Sequence, residues 1–77
     1  MSEATKDGLV ARGDALMQAG GFGEALALFE EALKLDGEDP DLWNRAGVAL
    51  RSLGRYAESV ECFERSLRID PRDRNSS

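Results

Sequence analysis

Three glutamates, Glu58, Glu61 and Glu64, follow one another at intervals of three, with Arg65 and Arg68 close behind. Carboxylates in series could hold a divalent cation or perform acid–base work. On a helix, that spacing is instead the pattern of a solvated face, with Glu61/Arg65 and Glu64/Arg68 set for pairing one turn apart. Gly20-Gly21-Phe22-Gly23 has the glycine content of a phosphate loop. It lacks the preceding strand and the following Lys-Ser/Thr, so it reads as a turn between helices. Cys62 is the only cysteine, and the chain has no histidine. That excludes an internal disulfide and leaves no nucleophile–base pair or metal set to assemble. A lone helical cysteine reads as a small apolar residue. The chain is expected not to be an enzyme and to use no metal or cofactor.

The elements that carry these residues form one small domain over residues 1–77. With 42% apolar and 32% charged residues, the chain has enough aliphatic surface to fold. No apolar run is long enough for a membrane span or a signal-peptide core, so the expected location is the cytoplasm. The net charge of −5 is unevenly placed. Residues 1–39 carry three basic against nine acidic side chains, and residues 40–77 seven against six. An acidic chain is a poor binder of phosphate backbones, so no nucleic-acid partner is expected. The asymmetry would allow head-to-tail attraction between copies.

Shifted by 34 positions, the sequence matches itself without a gap. Eleven identities fall in the 34 aligned positions, among them Gly13/Gly47, Leu16/Leu50, Gly20/Gly54, Phe29/Phe63 and Leu33/Leu67. Each copy reads as two helices. In the second, Asp39 caps and Pro40 opens the first helix, whose apolar stripe runs through Leu42, Ala46, Ala49 and Leu50 to Leu53. Gly54 supplies the left-handed stop. Tyr56, Val60, Phe63 and Leu67 begin the second stripe, and Asp70-Pro71 ends it. The spacing predicts helices near residues 3–19, 22–35, 40–53 and 56–69. No segment alternates with period two, so the fold class is all-α, with two stacked antiparallel helix-turn-helix hairpins. Gly13 and Gly47 permit close helix approach, and the rings of Phe29 and Phe63 are expected to fill the space between hairpins.

This pattern resembles the tetratricopeptide repeat. The second copy supplies Trp43, Ala46, Gly47, Leu50, Tyr56, Ser59, Phe63, Ser66 and Pro71. The first supplies Leu9, Arg12, Gly13, Leu16, Phe22, Ala25, Phe29, Ala32 and Gly37. Repeat 1 then covers about residues 6–39 and repeat 2 about 40–73, with a short polar tail at 74–77. Arg12 departs most, placing charge where the pattern has a buried leucine. The resemblance also puts Trp43 and Tyr56 in the core, not on a base-stacking surface.

The resemblance implies a protein–protein interaction module or scaffold, an α-solenoid binding a peptide or partner helix on a concave face lined by each repeat's first helix. The implied partner-binding positions are Asp7, Val10, Asp14 and Met17, then Asp41, Asn44, Val48 and Arg51. Their mixed character suits a basic or mixed partner. Members that clamp a C-terminal carboxylate use Lys and Asn in the first repeat and Asn in the second. This chain has Val10, Asp14 and Arg45 there, so that mode is not expected. The architecture also implies that each hairpin covers its predecessor. Asp70-Pro71 looks like the opening of a further helix that is not delivered. The uncovered edge should include Val60, Leu67 and Ile69, and the alternative function is self-association through it as a homodimer.

Overall fold

A computed structural model describes residues 5–71. It contains α1 (Lys6–Ala19), α2 (Phe22–Leu35), α3 (Pro40–Ser52) and α4 (Tyr56–Ile69). Each helix packs on the next, α1 on α2, α2 on α3 and α3 on α4. The result is two stacked hairpins, and the described residues contain no strand.

The boundaries follow local chemistry. α1 starts three residues later than the spacing predicts, because Thr5 is an extended N-cap whose hydroxyl accepts from the Gly8 N–H at 3.1 Å. α3 starts at Pro40, where the Asp39 carboxylate accepts from the Asp41 N–H at 3.0 Å. The two hairpin turns are structural copies. Gly20 and Gly54 lie at φ of 89° and 85°, the left-handed region that glycine enters without strain. Past each, the next N–H reaches back into the helix: Gly21 to the Leu16 carbonyl at 2.7 Å, Arg55 to the Leu50 carbonyl at 2.9 Å. Asp70 is the C-cap of α4, its N–H donating to the Ser66 carbonyl, as Asp36 does to Ala32 after α2. It therefore closes a helix and does not open one. The counterpart of the capping Asp39 is Asp73, which lies outside the described residues, as does the tail at 74–77.

The core runs through both hairpins and includes Leu26, Phe29, Leu42, Ala46 and Ala49. The expectation that both phenylalanine rings fill the space between hairpins fails for Phe63, beyond which no described hairpin lies. Each ring lies against the glycine of its own hairpin. A Cβ at Gly13 would stand 2.4 Å from the Phe29 ring, and one at Gly47 would stand 2.6 Å from the Phe63 ring. Phe29 is then sealed by the second hairpin, whereas Phe63 is only half-buried. Ser59 fits the same close approach, donating its hydroxyl proton to the Gly47 carbonyl at 2.8 Å inside the core.

Three further expectations are corrected. Arg12 is exposed and causes no burial problem, because no described helix covers that side of α1. Tyr56 is 65% exposed and is not a core residue. The Glu61/Arg65 and Glu64/Arg68 pairs do not form among the described residues. Arg65 instead lies over the Trp43 ring, 4.9 Å from its centroid, and Arg55 pairs with Glu58 at 2.7 Å.

Candidate functional site

The main packing runs between consecutive helices, and the two first helices, α1 and α3, meet through side chains such as Asp14 and Arg45. These two helices flank a groove floored by α2. The loop before α3 fixes the groove's width. Lys6 on α1 donates to Asp36 at 3.0 Å and Asp39 at 2.7 Å, while the Trp43 indole N–H donates to the Gly37 carbonyl at 2.9 Å. These hydrogen bonds raise the Lys6 pKa above the ordinary lysine value. The bond from Lys6 holds the Asp39 carboxyl below its ordinary range, helped by the backbone N–H of Asp41.

Part-way along, Arg45 reaches from α3 to Asp14 on α1, and this contact divides the groove. One side is a cleft of about 310 Å³ lined by Asp14, Met17, Gln18, Phe29, Asp41, Asn44, Arg45 and Val48. The other, of about 440 Å³, is lined by Lys6, Asp7, Val10, Ala11, Asp14, Asp39, Asp41, Leu42 and Arg45. Met17, Val48 and the edge of Phe29 give the first cleft an apolar floor. The second is more polar. The Asp14–Arg45 pair neutralises two of the charges at the divide, and its hydrogen bonds raise the arginine pKa. Asp7 and Asp41 remain as exposed carboxylates at the rim.

Seven of the eight sequence-predicted groove residues therefore line these two clefts: Asp7, Val10, Asp14, Met17, Asp41, Asn44 and Val48. Arg51 is exposed on α3 but lines neither. Besides Lys6, Ala11, Gln18, Phe29, Asp39 and Leu42, the expected groove set omits Arg45, which enters the sequence reading only as a clamp position. Its repeat counterpart, Ala11, lies one turn from Asp14, so the 34-residue shift itself could have placed Arg45 beside that face. A groove with an apolar floor and charged rim can take an apolar side chain and orient its flanks by charge.

The remaining chemistry is sparse. No group of three or more Cys, Asp or Glu side chains among the described residues is arranged to hold a metal ion. Burial, then the carboxylates of Glu30, Glu61 and Glu58, pushes the Cys62 thiol above its ordinary pKa, which disfavours the reactive thiolate. No described helix is long and apolar enough to cross a membrane.

A family profile described as tetratricopeptide repeat matches residues 10–74. The chain belongs to the tetratricopeptide repeat family. The match spans both hairpins, and the four helices are those of two tandem repeats. A search of curated proteins returns no match. Tetratricopeptide repeats are typically non-enzymatic modules that bind other proteins.

Proposed function

We propose that this tetratricopeptide repeat chain is a non-catalytic, cytoplasmic interaction module. Residues 6–39 and 40–73 are its two repeats, and the groove between α1 and α3 takes an extended peptide or a partner helix. The observation that carries this reading is the cleft floored by Met17, Phe29 and Val48 between two helices already held apart. An anchoring apolar side chain fits there, and Asp7 and Asp41 favour basic residues flanking it. Arg51, outside the clefts, would meet only a ligand long enough to run past Val48.

A displayed library of random twelve-residue peptides tests the reading, with Val48→Glu and Asp41→Lys as controls. Selected peptides are expected to carry an apolar residue beside Lys or Arg, and to lose binding to both variants. Peptides that bind wild type and both variants equally would refute the groove assignment.

A second reading, self-association, is favoured by a separate observation. Val60 and Leu67 on α4 are 52% and 51% exposed, although they belong to an apolar helix stripe.

A further inference from the structure

Asp14, Asp41 and Arg45 line both clefts of the groove and so form its partition. Arg45 pairs with Asp14 across the groove. Asp41 stands one turn before Arg45 on α3. Its backbone N–H donates to Asp39, but its carboxylate forms no ion pair among the described residues. The Asp14 hydrogen bonds raise the Arg45 pKa against the effect of burial, and the fields of Asp14, Asp41 and Asp39 add to the rise.

One guanidinium between two carboxylates leaves one negative charge unmatched. Arg45 can pair with either acid. Asp41 and Arg45 are i and i+4 with the acid first, the favourable order on a helix. Asp14 holds the arginine for a physical reason. Asp41 lies in the first turn of α3, where the positive helix end already stabilises it, whereas Asp14 lies in the middle of α1 without that support. The Asp14–Arg45 side chains are 38% and 44% exposed, so the pair is held weakly. Arg45 can therefore turn to Asp41 at small cost, and either way one carboxylate stays unmatched.

That charge sits at the edge of the apolar cleft. Met17 and Val48, which floor the cleft, lie one turn beyond Asp14 and Arg45 on their helices. Asp7, another exposed carboxylate, is two turns from Asp14, about 10 Å along α1, and cannot serve the same cation. We infer that Arg45 is the selectivity residue of the groove: by cancelling one of the two partition carboxylates, it restricts the ligand to a single lysine or arginine beside its apolar anchor. This deepens, and rests on, the peptide-groove reading. A neutral ligand would strip water from the unmatched carboxylate and give nothing back. Two adjacent cations would set one of them against Arg45. Without Arg45, the partition would accept both.

Twelve-residue peptides selected on the wild-type chain are the probes, each also made with its basic residues exchanged singly for glutamine. Affinities are read by fluorescence polarisation on the full chain. On wild type, one basic residue beside the apolar anchor should strengthen binding about fivefold, and a second one next to it should add nothing. On Arg45→Gln, the second basic residue should add about another fivefold. Asp14→Asn and Asp41→Asn should each erase the preference for the first, because Arg45 pairs with whichever carboxylate is left. A merely structural role for Arg45 would change affinity without changing the number of cations preferred. The same preference on wild type and Arg45→Gln overturns the inference. So does loss of the preference with only one of the two asparagine variants, or a set of selected peptides without basic residues. In those cases the groove reading stands so long as Val48→Glu abolishes binding. Peptides that bind Val48→Glu as well as wild type, or a library that yields no binder, overturn both.

Discussion

Arg45 on α3 holds both carboxylate oxygens of Asp14 on α1, Nε to Oδ1 at 3.0 Å and Nη2 to Oδ2 at 2.9 Å. The two side chains come from different repeats, so the contact has no copy elsewhere in the chain. Both are partly exposed, which limits its contribution to stability. A double-mutant cycle with Asp14→Ala and Arg45→Ala, read by urea melts, should give a coupling of about 0.5–1 kcal/mol. Arg45→Ala alone should also leave Asp14 as a free carboxylate in the groove and strengthen binding of basic peptides.

The two glycine–phenylalanine contacts should respond unequally to the same change. A Cβ at Gly13 or at Gly47 intrudes on a ring at 2.4 or 2.6 Å. Phe29 is fully enclosed and has nowhere to go, whereas Phe63 can swing toward the open edge. Gly13→Ala is expected to cost about 2–3 kcal/mol, and Gly47→Ala about 1 kcal/mol or less. Thermal melts of the two variants check the order. Equal losses would mean that Phe63 is held as tightly as Phe29.

Gly20 and Gly54 make the opposite case. A Cβ at either meets nothing within 4 Å, yet both have positive φ. Replacement by alanine should therefore cost about 1 kcal/mol of purely conformational energy, with asparagine milder. Chemical denaturation of Gly54→Ala and Gly54→Asn separates the two.

The Lys6–Asp39 pair predicts a pH dependence with a definite sign. Asp39 has its pKa lowered from 3.8 by Lys6, so its contribution is present above that value and is lost as pH falls through the lowered one. Lys6 is raised from 10.5, so its share is full below 10.5 and is lost as pH rises beyond it. Between those limits the pair should contribute evenly. Between about pH 5 and pH 2, wild type should lose stability more steeply than Lys6→Met. Parallel acid limbs in urea titrations would show that the pair does not form in solution.

Much of this architecture is legible in the sequence, because the repeat states each local rule twice. Pro40 after Asp39, Gly20 and Gly54 placed α2 and α4 at their observed bounds and α3 within a residue of its own. What the sequence hides is direction across space. Helical spacing says that Phe29 and Phe63 point inward, but not that each seats on the glycine of its own hairpin. The repeat counterpart of Arg12, Ala46, is buried against the neighbouring hairpin and that of Tyr56, Phe22, is half-buried, but among the described residues no further hairpin lies beyond α1 or α4. Of the groove, seven expected residues line the clefts, while Arg45, which the sequence offers only as a clamp position, stays out of the expected set because its partner is 31 residues away on another helix.

The most direct test of the groove as the partner-binding surface is amide chemical-shift mapping with a peptide selected on the wild-type chain. The account predicts that the largest shifts fall on Asp14, Met17, Asp41, Asn44 and Val48, and that Val48→Glu abolishes them. Shifts concentrated on Val60, Phe63 and Leu67, with the α1 and α3 amides unmoved, would contradict it.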